Sequence, residues 1–183
     1  DQINFNFDGV NKLICFHPSL INIIKKLYSN KKILCYSLAN NRIKNLKKNE
    51  WIYLLSNNSN KSLKVFYQII INLKKINKIS KIYIKQHPSW LSEGFNQEFY
   101  KKLREIKIPF MVLNKSENVV YEKYQGIILE PGGSIIDGLT HNTNLKILAI
   151  KSNYIDISGA QYEYYKKIKD ICWNHDVESL KKY

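Results

Sequence analysis

The feature that most constrains this fold is the alternation of short apolar runs with helix-like segments along most of the chain. Runs typical of buried strands occupy residues 11–16, 32–38, 51–55, 81–85, 109–113, 126–129 and 145–150. Between several of them apolar residues recur at i, i+3, i+4 and i+7, most clearly over residues 63–76, which indicates amphipathic helices. Strands that alternate with such helices are typical of a parallel sheet covered on both faces. The sequence therefore predicts an α/β fold with a doubly wound, mostly parallel sheet.

The same pattern predicts where the remaining elements and the core lie. Helices are expected near residues 18–27, 95–106, 118–123, 135–141 and 160–168 and from Val177, and the polar stretch 39–50 is expected to be a linker or surface loop. Strands buried on both faces are apolar throughout, so their side chains should form the core of the sheet. The predicted core residues are Ile14, Leu34, Ile52, Leu54, Ile82, Ile84, Ile127, Ile128, Ile147 and Leu148.

Composition excludes several classes of protein. Hydrophobic residues make up 44% and aromatic residues 13% of the 183 residues, which is too many for a wholly disordered chain. No apolar run approaches the ~20 residues of a membrane-spanning helix, and no secretory leader is apparent. The three cysteines have no metal-ligand spacing and do not suggest disulfides, which favours a reducing, cytoplasmic compartment.

The charge balance leaves two interpretations open. Lys and Arg number 29 against 15 Asp and Glu, a net charge of +14. A chain so rich in Asn, Ile, Lys and Tyr carries many lysines through coding bias alone, on solvated faces. The alternative is an anionic partner, either a phosphate-bearing small molecule or an acidic membrane surface contacted peripherally. A nucleic-acid partner is not expected, because the tyrosines beside lysines at residues 162–167 are better explained by helix packing.

Two loops that follow predicted strands carry residues suited to chemistry. The first is Lys85-Gln86-His87-Pro88. Pro88 stiffens the backbone at His87, so the imidazole would be presented rigidly from a strand end. An imidazole that titrates near ~6.5 can donate to a phosphate oxygen or act as a proton donor. The plain alternative is a chance His-Pro pair in a loop, since the chain has another at His17-Pro18.

The second loop is Glu130-Pro131-Gly132-Gly133-Ser134, between a predicted strand and a predicted helix. Paired glycines allow backbone amides to approach a ligand closely, and a helix N-terminus binds phosphate. Ser134 could donate its hydroxyl to the same phosphate, and Glu130 could accept hydrogen bonds from sugar hydroxyls. The alternative is a tight turn with Ser134 as an N-cap. Dinucleotide and Walker motifs are absent.

Both loops should lie at the carboxyl edge of the sheet, where α/β proteins bind their ligands. We therefore expect His87 and Ser134 to face one cleft and to touch one phosphate group. A strand that ends in Lys-x-His-Pro, followed some forty residues later by a strand and a small-residue turn with Ser134, resembles the bacterial HP-motif sialyltransferases of lipooligosaccharide and capsule synthesis. The resemblance extends over residues 51–150.

The resemblance implies a Rossmann-like nucleotide-binding domain of the GT-B fold and an inverting, metal-independent transfer of sialic acid from CMP-sialic acid to a glycan acceptor. No other cofactor is implied. His87 would assist departure of the CMP phosphate as the catalytic residue. Ser134 would bind that phosphate, and Glu130 would contact the cytidine portion. Many family members have consecutive Ser or Thr where this chain has Gly132 and Gly133.

The resemblance also suggests a division of the chain. Residues 46–183 would form the nucleotide-binding domain, and residues 1–45 part of an acceptor domain, because a two-domain enzyme needs ~250 residues or more. Two other functions remain open. One is transfer of glycerol phosphate or Kdo from a cytidine nucleotide, and the other is a non-catalytic domain that binds an anionic partner.

Overall fold

The computed structural model describes residues 9–15, 21, 24–26, 28–35, 47–55, 60–86, 93–113, 119, 121–130, 146–150 and 171–183. Eight strands and three helices have bounds within these ranges, and a short 3₁₀ turn lies at Tyr121–Lys123. Residues 21 and 24–26 are also helical, within the segment 18–27 where a helix was predicted. The strands are β1 Lys12–Cys15, β2 Lys32–Cys35, β3 Lys47–Leu55, β4 Lys81–Gln86, β5 Phe110–Leu113, β6 Tyr124–Leu129, β7 Lys146–Ala149 and β8 Ile171–Cys172. The helices are α1 Asn60–Lys75, α2 Glu93–Ile106 and α3 Val177–Lys182.

The strands form two separate sheets. Strands β1 and β2 pair with each other, and the other six form one sheet in the order β5-β4-β3-β6-β7-β8. Every pairing between these strands is parallel. The predicted α/β fold with a mostly parallel sheet is therefore confirmed.

The strand order fixes where this sheet can bind a ligand. Numbered in chain order, the six strands read 3-2-1-4-5-6, which is the doubly wound arrangement of Rossmann-type sheets. The chain moves outward from β3 to β5, then returns to the other side of β3 and continues through β6 to β8. The order reverses between β3 and β6, and ligands of such sheets bind at the carboxyl ends of the strands at this switch point.

The three helices pack on one face of the sheet. Helix α1 buries Phe66, Ile69, Ile70 and Leu73 at helical spacing, and α2 buries Phe99 and Leu103 against the same face. Leu180 of α3 joins this cluster. The predicted helix over residues 63–76 is confirmed, with its start three residues earlier. Strand side chains alternate between faces, so the opposite face carries a second apolar cluster, which includes Ile52, Ile127, Leu129 and Ile147.

Eight of the ten predicted core residues lie within the six-stranded sheet, and seven of these are buried, with Leu54 half-buried. The prediction is wrong for Ile14 and Leu34, whose exposed fractions are 61% and 40%. They belong to the small sheet of β1 and β2 and not to the six-stranded sheet. Apolar character alone does not distinguish a strand of the main sheet from a strand of a small one.

Two further differences concern polar residues and a short strand. Residues 47–50, predicted within a linker, begin β3. A bulge interrupts this start, and Asn49 adopts a φ of 63° there. The Asn49 carbonyl accepts hydrogen bonds from Ser80, and its backbone amide donates one to Oε1 of Gln125. Strand β8 has only two residues and was not predicted. The predicted helices at 135–141 and 160–168 lie outside the described residues.

Candidate functional site

The candidate site lies at the carboxyl edge of the sheet, where β3 and β6 end side by side. Leu54 of β3 is in register with Leu129 of β6, and Glu130 follows Leu129 directly. Lys85 is the second-last residue of β4, on the other side of β3. The structure thus places Lys85 and Glu130 at the same edge of the sheet, and their part in a binding site stays a prediction. His87, Pro88, Gly132, Gly133 and Ser134 lie outside the described residues, so the predicted cleft between His87 and Ser134 stays a prediction.

Lys85 and Glu130 do not share a face of the sheet. Tyr83 belongs to the cluster opposite the helices, and strand alternation gives Lys85 the same side. Glu130 lies on the helix-covered side, beside Tyr53. The two residues therefore approach the switch point from opposite sides, which leaves the strand ends of β3 and β6 between them.

Glu130 is a buried carboxylate at the switch point, with an exposed fraction of only 2%. Burial of an ionisable carboxylate is costly unless polar groups surround it. Its charge acts on the neighbouring Tyr53: burial first, and then the Glu130 charge, raise the pKa of Tyr53 well above its ordinary value near 10. The carboxylate of Glu130 can accept hydrogen bonds from hydroxyl groups at this edge, which is the role predicted for it.

Tyr53 is a residue that the sequence analysis did not identify. It lies two positions before the end of β3, and its ring stacks on Phe66 of α1 with a centroid distance of 3.9 Å and an interplanar angle of 12°. The side chain is fully buried, and its hydroxyl makes no hydrogen bond within the described residues. A buried hydroxyl without a partner usually costs about 1–3 kcal/mol. The only sequence signal for it is a tyrosine inside an otherwise apolar strand.

A side-chain hydrogen bond joins the end of β4 to α2. Gln86 Nε2 donates a hydrogen bond of 2.9 Å to the Tyr100 hydroxyl, and the Tyr100 ring stacks on Phe110 of β5 at 5.4 Å. Burial raises the pKa of Tyr100. This contact holds the last residue of β4, from which the Lys85–Pro88 loop continues, at a fixed place at the sheet edge.

A second concave region lies away from this edge, between the outer surfaces of α1 and α2. This groove has a volume of about 500 Å³ and is lined by charges of both signs, among them Lys64, Glu98, Lys101 and Glu105. Burial and the charges of Glu98 and Glu105 raise the pKa of Tyr67 there to about 12. The groove is open and mixed in charge, and none of the predicted site residues lines it.

No three His, Cys, Asp or Glu side chains within the described ranges lie close enough together to hold a metal ion. Nor is any described helix long and apolar enough to cross a membrane. Metal independence and peripheral membrane contact remain predictions.

No protein-family model and no curated protein matches the chain. Solved structures with some likeness include a chain in the crystal structure of accessory secretory protein 1, 2 and 3 of Streptococcus pneumoniae, at a TM-score of 0.48 and 15% identity over 96% of this chain and 40% of that one. Another is the pneumococcal O-GlcNAc transferase GtfA in complex with UDP and GlcNAc, at a TM-score of 0.38 and 14% identity over 88% of this chain and 38% of that one.

The chain spans about two fifths of the length of these solved chains. Likeness of this degree does not determine an activity, and the chain's own site is the guide to its function. That site is the switch point of a parallel α/β sheet, where the buried Glu130 lies at the end of β6.

Proposed function

We propose that this chain is the nucleotide-binding part of a glycosyltransferase that uses a nucleotide-activated sugar. The observation that carries the proposal is a buried carboxylate, Glu130, at the switch point of a 3-2-1-4-5-6 sheet. Ligands of such sheets bind in the crevice beyond the strand ends at that point. A carboxylate there suits the hydroxyl groups of a ribose or another sugar, and the loops of His87 and Ser134 continue from strands that end at the same edge.

The proposed chemistry is displacement at the anomeric carbon of the donor. An acceptor hydroxyl forms a new C–O bond to that carbon and loses its proton to a general base, while the bond from the carbon to the phosphate oxygen breaks with inversion. The protonated imidazole of His87 donates to the departing phosphate as its negative charge increases. Such a donor acts most strongly in the transition state, where the charge develops. Gly132, Gly133 and Ser134 bind the same phosphate.

The proposed donor is CMP-sialic acid, and the proposed acceptor is a cell-surface glycan. Support comes from the Lys-x-His-Pro strand end and the later turn with Ser134, which resemble the HP-motif sialyltransferases. The glycines at 132 and 133 depart from the family pattern, so transfer of glycerol phosphate or Kdo from a cytidine nucleotide remains the second candidate. We place the reaction in the cytoplasm, in line with the free thiol of Cys172.

Thermal unfolding in the presence of CMP, CDP, UMP, UDP and GDP tests the proposal. A ligand that binds the folded state adds about 2.7 kcal/mol of stability at a hundredfold excess over its Kd. We expect CMP to raise the Tm most, and Glu130→Gln to reduce that shift. A preference for UDP would overturn the cytidine donor but keep a nucleotide site, whereas no shift with any nucleotide would favour the non-catalytic alternative.

A matched pair of serine variants separates the proposed phosphate contact from general effects on the fold. Ser134→Ala should weaken CMP binding by about 1–2 kcal/mol, the usual value of one hydrogen bond to a charged group. Ser80→Ala removes a hydroxyl bonded to Asn49 at the opposite edge of the sheet and should leave CMP affinity unchanged. Equal effects of the two variants would argue against a phosphate contact at Ser134.

A further inference from the structure

Lysines mark the start of the strands at the edge of the main sheet opposite the candidate site. Because all six strands are parallel, their first residues meet at one edge, which we call the amino edge. Strand β3 begins with two lysines, and β4 and β7 each begin with one. A lysine also directly precedes the first residue of β6. The corresponding residues are Lys47, Lys48, Lys81, Lys123 and Lys146.

The helices add further cations at the same edge, because each runs back along the sheet and ends there. Helix α1 ends in Lys74 and Lys75. Lys74 Nζ donates a hydrogen bond of 2.8 Å to the Ile106 carbonyl, which joins the C-terminal ends of α1 and α2. Lys78 Nζ donates to the carbonyls of Leu180 and Lys181 at 2.8 and 2.9 Å, which brings the end of α3 beside them.

Two of these cations, Lys78 and Lys146, lie close enough to repel each other. Burial and then the charge of Lys78 lower the pKa of Lys146. Two carboxylates near the helix ends pair with other lysines, Glu178 with Lys181 at 2.9 Å and Glu105 with Lys102 at 2.8 Å. A third, Glu50 of β3, lies in register with Lys81 at this edge. Lys48, Lys75, Lys107 and Lys123 are exposed and make no ion pair within the described residues. We call these four residues the amino-edge lysines.

The nucleotide proposed above does not account for this charge. Strand β4 has six residues, so its two ends lie about 17 Å apart at ~3.3 Å per residue. Exposed charges are screened over ~8 Å at physiological ionic strength. The amino-edge lysines are therefore too far from the switch point to bind a phosphate there.

We propose that the amino edge is a peripheral docking surface for an anionic membrane, with the amino-edge lysines facing the lipid headgroups. Lysines near a surface of anionic lipid each contribute favourably without specific geometry. A single-stranded nucleic acid would need exposed aromatic rings among the cations. At this edge Trp51, Tyr83 and Tyr124 are buried, and Tyr121 and Tyr183 are half-buried. The surface suits a diffuse field of negative charge.

The test is sedimentation of residues 1–183 with vesicles of phosphatidylcholine alone or mixed equally with phosphatidylserine. We expect binding only to the mixed vesicles, and weaker binding at higher salt. Replacing Lys48, Lys75 and Lys123 together by Gln should weaken it by up to a hundredfold, since each lysine near the surface is worth roughly fivefold. Circular dichroism and the Tm check that the variant is folded.

The matched control removes the same charge elsewhere. Lys64, Lys101 and Lys102 are exposed on α1 and α2 along the groove between them, and their joint change to Gln should alter binding by no more than a few-fold. Equal loss in both triple variants would show a response to net charge alone and would overturn the proposal. It would also be overturned if the wild-type chain bound phosphatidylcholine equally well, failed to bind either vesicle, or bound single-stranded RNA more tightly than the mixed vesicles.

Discussion

The two edges of the main sheet differ in how their polar groups are satisfied. At the amino edge, polar groups form hydrogen bonds with one another. The Lys78 side chain donates to the Leu180 carbonyl at the end of α3, and the Lys78 carbonyl accepts a hydrogen bond of 2.8 Å from Trp51 Nε1. The Asn49 carbonyl in β3 accepts one from the Ser80 hydroxyl. At the carboxyl edge, Glu130 is buried and the Tyr53 hydroxyl makes no hydrogen bond within the described residues. A buried hydroxyl without a hydrogen bond is costly, and native proteins accept such a cost mainly at functional sites.

This contrast suggests that the amino edge serves stability and the carboxyl edge serves ligand binding. Changes at the amino edge should mainly reduce stability, because they remove bonds that hold helices to strands. Changes at the carboxyl edge should mainly reduce nucleotide binding or turnover. The exposed amino-edge lysines are the exception, since they take no part in those bonds.

The largest effect is expected at the carboxyl edge, from His87→Ala. If His87 donates to the departing phosphate, its loss should lower kcat by about 10²–10⁴-fold, the usual value of general acid catalysis, with little change in CMP affinity. Steady-state kinetics on the complete enzyme measure this. His17→Ala is the matched control for the other His-Pro pair and should keep full turnover. An equal loss in both variants would contradict the assignment.

The next largest effect tests the packing behind the amino edge. Gly126 of β6 lies between Trp51 and Lys146, and an added Cβ would overlap the Trp51 ring and lie 2.6 Å from the Lys146 carbonyl oxygen. Because the backbone of β7 cannot move aside freely, Gly126→Ala should reduce the free energy of unfolding by about 3 kcal/mol, the upper end of usual overpacking costs. Urea denaturation measures it. Ile127→Val on the same strand should cost only ~0.5–1.5 kcal/mol.

A smaller loss of stability is expected where Lys78 caps α3. Lys78→Met keeps the apolar stem but removes two hydrogen bonds to the helix carbonyls, which should cost about 1–2 kcal/mol because the donor is charged. Lys75→Met changes an exposed neighbour without such bonds and should cost under about 0.5 kcal/mol. If urea denaturation gave equal values for the two variants, the capping account of the amino edge would be wrong.

The smallest effect at neutral pH is expected from Tyr53→Phe. Removing a buried hydroxyl that has no hydrogen bond within the described residues should leave stability unchanged or raise it slightly, measured by urea denaturation at pH 7. A loss of more than about 1 kcal/mol would show that the hydroxyl has a partner in the folded protein.

The same variant should alter the response to alkaline pH. Above pH ~10 the unfolded chain releases the tyrosine proton, while the raised pKa of Tyr53 keeps it bound in the folded protein. The free energy of unfolding then falls by up to about 1.4 kcal/mol per pH unit, and Tyr53→Phe should flatten that fall. Tyr67→Phe should flatten it less, because Tyr67 is only half-buried and its pKa is about 12.

The sequence predicted the fold well because period-2 and period-3.6 patterns follow directly from burial. The parallel sheet, α1 and α2 were all apparent from the spacing of apolar residues, and Glu130 was identified because it follows a strand. The strand order was not predictable, since it depends on which strands pair across the whole chain. Without that order, neither the switch point nor the amino edge could be located.

Tyr53 and the lysines at the amino edge show the limits of sequence patterns more closely. Tyr53 is one of thirteen tyrosines in the chain, and only the packing of β3 against α1 shows that its hydroxyl is buried near Glu130. The lysines looked like the result of coding bias when they were counted along the chain. Their concentration at one edge appears only after the parallel strands are placed side by side.

The most direct test of the account is hydrogen–deuterium exchange of the chain with and without saturating CMP. If the nucleotide binds at the switch point, protection should increase at the carboxyl edge, in peptides that cover residues 53–62 and 127–135. Peptides that cover residues 47–50, 78–82 and 121–125, at the amino edge, should exchange as before. Protection confined to the amino edge, or no change in either set under conditions where CMP is shown to bind, would contradict the proposed site.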